Sequence, residues 1–126
     1  MKAAYLVSRS ASFEDDVWQA ASALGWEVQG DVAQVRDEAG RLLTVFGGLG
    51  ESHASDWRDD LVPSPALDAA PDLSDALAVS VECRWEDMFA TVVRRLAAHL
   101  PGPTGVVDGN GVVWPAGQVD PGSIQL

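Results

Sequence analysis

One order of local signals occurs twice along this chain: an extended run, an amphipathic helix, then two extended runs joined by an Asp-x-x-Gly turn. The turns are Asp37…Gly40 and Asp108…Gly111, an offset of 71. Moving the first expected helix, 13–24, by that offset places it at 84–95, on the second helical stripe. Phe89 then falls on Trp18 and Met88 on Val17. A hairpin has one apolar face and a helix one apolar stripe, and each must be buried against the other. The repeat therefore predicts an α+β fold. It has two βαββ-like halves, a mainly antiparallel sheet, and two helices packed on one face. Two half-sheets enclosing a cleft are the alternative arrangement.

The local signals within each half are physical. Residues 3–8 are apolar with Tyr5 and Val7, which suits a buried strand. Ser12 and Asp15 resemble a capping box, and Glu14, Asp15 and Asp16 put negative charge in a first helical turn. Phe13, Val17, Ala20, Ala21 and Leu24 share one helical face, and Gly25 sits where a helix ends in a left-handed residue. Extended runs follow near Trp26 and Val28, at 32–36 and at 41–46. In the second half, Leu77, Val79, Val81 and Cys83 alternate with Ala78, Ser80 and Glu82, the period of a half-buried strand. Trp85, Phe89, Val92, Val93, Leu96 and Leu100 form a helical stripe, with acids before it and Arg94, Arg95 and His99 after. Pro101-Gly102-Pro103 stops it. Residues 106–107 and 112–114 flank the second turn as a hairpin. From Pro115 onward an edge or C-terminal tail is expected, in which Ile124 and Leu126 are the residues able to dock. The chain of 126 residues suits one domain: a first half at 1–46, a connection at 47–75 and a second half at 76–126.

Charge and composition narrow the function classes. The longest apolar runs fall far below the ~18 residues of a membrane span. Arg9 interrupts the short stretch after Lys2 before the apolar core of a signal peptide could develop. Cys83 is the only cysteine, so no internal disulfide is expected, and a cytoplasmic location follows. Nineteen carboxylates against eight Lys and Arg give −11. Such a surface repels nucleic acid and anionic lipid at long range; it favours a basic protein partner, or it serves only to keep the chain in solution. A monomer or homodimer is expected.

No residue set carries catalysis. Gly47-Gly48-Leu49-Gly50 lacks the Lys of a phosphate loop, and Glu51 would repel phosphate. Ser52, His53 and Asp56 are triad residue types crowded in one loop, whereas working triads gather members from separate elements. Asp108 and Asn110 open like a calcium loop, but position 112 is Val and no Glu closes it. Cys83 has no pair and no base at hand. Neither metal nor cofactor is expected, and the chain reads as a non-enzyme.

The connection is where charge concentrates. Glu51, Asp56, Asp59, Asp60, Asp68, Asp72 and Asp75 face only Arg58 in residues 47–75, a local net charge of −6. Trp57 lies in the middle, with Leu61 and Val62 nearby. An aromatic anchor ringed by carboxylates is one form of hot spot for a basic partner. The candidate partner-binding residues are therefore Glu51, Asp56, Trp57, Asp59, Asp60, Asp68 and Asp72. The competing reading packs Trp57 and Leu61 down onto the sheet. Trp26 and Trp114, on strands, are the candidates for a small-molecule pocket if one sheet face is open.

In size, acidity and α+β make-up the whole chain resembles the small immunity proteins of bacterial toxin systems. That resemblance implies occlusion of a cognate toxin, often a basic nuclease. The stretch Trp18…Ala23-Leu24-Gly25-Trp26-Glu27-Val28 and the turn Asp108-Gly109-Asn110 are similar to the glyoxalase and bleomycin-resistance superfamily. This second resemblance implies a small-molecule-binding module with a cleft between its halves. That family's unit has one more strand, where only 104–107 lie between Pro103 and the turn here. Its metal-binding His and Glu positions have no clear counterpart. The sequence thus predicts a non-enzymatic inhibitor of immunity type. A small-ligand module and an enzyme of unrecognised type are the alternatives.

Overall fold

A computed structural model describes residues 3–126. Lys2, used above in reading the start of the chain, lies outside them. The strands are β1 (Ala3–Ser8), β2 (Glu27–Gln29), β3 (Val32–Arg36), β4 (Leu42–Phe46), β5 (Val62–Pro63), β6 (Leu77–Glu82), β7 (Gly105–Val107) and β8 (Val112–Pro115). The helices are α1 (Phe13–Ala23), α2 (Ser55–Arg58) and α3 (Glu86–Ala98), with a 3₁₀ turn at Glu51–His53. All eight strands form one sheet in the order β2-β3-β4-β6-β1-β7-β8-β5. Every pairing is antiparallel except β5 with β8.

The two halves exchange their first strands. β4 of the first half pairs with β6 of the second, Thr44 opposite Glu82. β1 of the first half pairs with β7 of the second, Val7 opposite Gly105. β1 and β6 then lie side by side at the centre, Leu6 opposite Val79. In the second half β6 and β7, linked through α3, are thus separated by β1 of the first half, a split β-α-β unit; in the first half β1 and β2, linked through α1, are separated by β3, β4 and β6. The single sheet replaces the alternative of two half-sheets around a cleft. The exchange leaves neither central strand with an unpaired edge, which two separate half-sheets would each expose.

Alternation distributes the strand residues between two faces. Ala4 and Leu6 of β1, Val79 and Val81 of β6, and Val106 of β7 join Val17 of α1 and Phe89 and Val93 of α3 in the main core. α1 and α3 share that face, as the sequence predicts. Tyr5, Val7, Ala78, Val107 and Val113 point the other way, where the connection covers them. On their buried faces the helices align at 72 rather than 71: Val17 corresponds to Phe89 and Ala21 to Val93. The loop between helix and hairpin absorbs the extra residue, because each stripe must still rotate onto the sheet.

Helix α1 ends as its sequence implies. Gly25 has φ +80°, the Gly25 N–H donates to Ser22 O and the Trp26 N–H to Ala21 O. This double bond pattern satisfies two terminal carbonyls. The expected capping box does not form. Ser12 Oγ donates to Asp16 Oδ2 at 2.9 Å, so it makes no bond to a backbone N–H.

The repeated turn is the same at atomic detail. The Asp37 and Asp108 N–H groups donate to the carbonyls of Arg41 and Val112 at 3.1 and 3.0 Å. Each Oδ1 accepts two backbone N–H groups: Ala39 and Arg41 for Asp37, Asn110 and Val112 for Asp108. Gly40 and Gly111 have φ of +80° and +77°. A Cβ at either position costs about 1 kcal/mol in this conformation. At Gly111 it would also meet Asp60 O at 3.3 Å, whereas Gly40 has nothing within 4 Å. Gly111→Ala should therefore lower the melting temperature more than Gly40→Ala. Equal shifts in thermal melts would show that the Asp60 contact carries no cost.

Candidate partner-binding site

The connection folds into a cover over one end of the sheet. Gly48, at φ +69°, turns the chain away from β4, and its N–H is held by Glu14 Oε1 at 2.8 Å. One helical turn, α2, then presents Trp57 and Arg58. The Trp57 indole N–H donates to Ala76 O at 3.0 Å. Arg58 Nε and Nη2 donate to the same oxygen at 3.0 and 2.8 Å. Three donors on one carbonyl staple α2 to the residue just before β6. Tyr5 of β1 packs against Trp57 with ring centroids 5.2 Å apart. Farther on, the N–H groups of Val62 and Ser64 donate to Gly111 O and Val113 O, adding β5 as a parallel edge strand. Pro63 lies between these two donors, at the position whose missing N–H costs the ladder nothing.

This architecture decides between the two readings of Trp57. It is 3% exposed and belongs to the layer beneath the cover, with Leu61 packed against it. Its burial removes it from the surface a partner could touch. The indole is apolar except for one donor, and Ala76 O satisfies that donor in the dry layer.

The candidate carboxylates stay outside. Glu51, Asp56, Asp59, Asp60, Asp68 and Asp72 are all exposed. Glu51 is paired to Arg58 at 2.6 Å, and Asp75 to Arg9 at 2.9 Å. Asp56 accepts the Tyr5 hydroxyl at 3.0 Å, and burial together with this bond pushes the phenol pKa up. The Ser74 N–H and hydroxyl hold the Asp72 carboxyl below its ordinary value, and Arg9 does the same for Asp75. Both are ionised at neutral pH. Asp59, Asp60 and Asp68 make no ion pair among the described residues. Asp60 has φ +55°, so the turn from α2 into β5 is carried by one of the acids themselves. Among the described residues five of the seven carboxylates of 47–75 have no paired cation, on a surface clamped from below.

The remaining candidates fall elsewhere. Ser52 and His53 are exposed on the cover, and no hydrogen bond joins either to Asp56 among the described residues. The Cys83 thiol donates to Trp85 O at 3.4 Å, and burial pushes its pKa up. No cluster of three or more His, Cys, Asp or Glu suited to a metal ion occurs among the described residues. Trp114 is buried, with its Nε1 on Asp108 Oδ2 at 3.2 Å, and is among the residues that line an apolar groove; Trp26 is half-buried. No described helix is long and apolar enough to cross a membrane.

Two features escaped the sequence reading. Asp108 is 5% exposed and accepts from four donors: Asn110 N, Val112 N, Trp114 Nε1 and Gln125 N. It thereby ties residues 116–126 to the second hairpin, and Ile124 is buried in the main core. The second is an apolar groove of about 410 Å³ under the edge of the cover. Its Leu67, Pro71 and Leu73 come from a stretch without periodicity, and the only hint was their recurrence among acids.

The fold and site thus define a one-sheet α+β domain with an acidic cover layer. No protein-family model, curated protein or solved structure gives a significant match to the chain.

Proposed function

We propose that this is a binding protein that neutralises a basic protein partner, in the manner of an immunity protein, by occluding it with the acidic cover. The observation that carries this reading is the clamped connection. Trp57 and Arg58 on Ala76 O hold the layer in place while the carboxylates face outward. A surface ordered before binding loses less conformational entropy in the complex. Clustered charge steers a basic partner and raises the association rate, which makes binding sensitive to salt. No catalytic step is needed: exclusion from the partner's own site suffices. A small-molecule-binding role is the second reading, and the groove favours it.

The test is kinetic. Against the basic protein captured from the source cell, the triple variant Asp56→Asn, Asp59→Asn, Asp60→Asn should associate about tenfold more slowly at low ionic strength. The difference should shrink as salt is raised. Unchanged association by surface plasmon resonance at low salt would remove these residues from the interface.

A further inference from the structure

The groove lies between the sheet and the 67–73 stretch of the cover. Its floor is formed by Val7, Gly105 and Val113, on the face opposite α1 and α3. A Cβ on Gly105 would stand 3.2 Å from Val7 Cγ2 and 3.9 Å from Val113 Cγ1. Glycine therefore keeps the floor low where a side chain would raise it. Pro71 and Leu73 line it from the cover side. Just behind it, Ser64 donates its N–H to Val113 O, and Ser64 O accepts from the Leu67 N–H. Ser64 Oγ is the one buried side-chain polar atom left without a partner among the described residues.

The charge around the groove has one sign in excess. Arg9 and Asp72 stand among its lining residues, but Asp75 already engages the Arg9 guanidinium at 2.9 and 3.4 Å. Asp68, next to Leu67, is exposed and without an ion pair among the described residues. The result is an apolar depression beside two carboxylates, Asp68 and Asp72, with Arg9 its one lining cation and that cation paired to Asp75. Interface hot spots concentrate where an anchor side chain enters a pocket inside a polar rim. Groove volume is in the range of about 300–1,000 Å³ that ligand-sized groups fill.

We propose that this groove is the anchor pocket of the partner-binding surface. It accepts one apolar side chain, aliphatic or aromatic, of the basic partner, and the Lys or Arg residues flanking that side chain meet Asp68 and Asp72. The proposal rests on the basic-partner reading and adds where that partner is gripped. It also supplies the apolar contact that the buried Trp57 cannot.

Amide NMR titrations at low ionic strength test it with three probes: capped Lys-Arg-Phe-Arg-Lys, capped Lys-Arg-Gly-Arg-Lys, and phenethylamine. The Phe peptide should bind about tenfold more tightly than the Gly peptide, a gain in keeping with burial of part of one aromatic side chain. Its shifts should centre on Val7, Thr104 and Gly105. Gly105→Val should abolish the preference and leave Gly-peptide binding intact. Since that change crowds Val7, Thr104→Phe, which fills the groove from its rim, is the second plug. Equal binding of the two peptides overturns the anchor pocket and leaves the basic-partner reading standing. Binding of neither peptide overturns both. Phenethylamine shifting the groove amides with no preference for the Phe peptide makes this a small-molecule site and overturns the proposal.

Discussion

Trp57→Ala should destabilise the protein by about 3–4 kcal/mol, the range for deleting a large buried aromatic side chain. The indole is 3% exposed, packs on Tyr5, and shares a layer with Val7, Ala78 and Val107. Its removal leaves a void there and takes one of three donors from Ala76 O. In a cooperative domain of this size the loss corresponds to a fall of about 10 °C or more in melting temperature. Hydrogen exchange locates the damage. The cover rests on one face of the sheet and contributes only the two-residue β5 to it. Amides of 54–76 should therefore lose protection first, while those of Val79 and Val81 stay slow. Trp57→Phe keeps most of the packing and loses the hydrogen bond, so it should cost about 1 kcal/mol. A Trp57→Ala protein that melts with the wild type would mean the cover is held by something other than this staple. The variant also bears on function, since a loosened cover no longer presents its carboxylates in one arrangement.

Asp108→Ala should cost about 3 kcal/mol, because a buried acceptor of four hydrogen bonds vanishes and its donors keep their desolvation penalty. Two donors belong to the turn, one to Trp114 and one to the backbone of Gln125. The Gly109 N–H also bonds Gln125 O at 2.6 Å, and a Cβ at Gly109 would stand 2.9 Å from that oxygen. The final segment is thus pinned by one carboxylate and one close backbone approach. Asp37→Ala is the internal control. The turn is the same, but Asp37 is only half-buried and its extra partner is Arg41, which also holds Asp87. Thermal denaturation should show a far larger loss for Asp108→Ala than for Asp37→Ala. Equal losses would show that burial of the second turn adds nothing to its stability.

Those paired turns mark what a reader of the sequence could see. Asp-x-x-Gly carries its own hydrogen bonds, and Gly25 ends α1 through bonds spanning only a few residues. The stripes of α1 and α3 and the alternation of β6 name their buried faces without any partner. The acidic run was visible as well, and its carboxylates are exposed. Trp57 was ambiguous because an aromatic residue among acids can anchor a partner or a loop. Only the sheet beneath it shows which surface it buries. In the sequence Asp108 is a turn residue, and nothing local distinguishes it from Asp37. Its burial depends on Trp114 across the hairpin and on Gln125, which reaches it from beyond β8.

By itself, the sequence determined the main strands and helices on either side of the connection, their order, the repeated Asp-x-x-Gly turn and the sign of the surface charge, but not β5 or the turns of helix within 47–75. Each follows from side-chain periodicity, turn chemistry or a count of ionisable groups, and none needs a distant contact. The tertiary structure alone decided that β1 and β6 change places, that β5 adds in parallel with Pro63 turned outward, and that Trp57 lies beneath the cover. It also made the groove over Gly105. The physical reason is that strand neighbours and buried layers are chosen by pairing edges and covering apolar faces over the whole molecule, and residues 77–82 cannot state within themselves that their partners are 3–8 and 44–46.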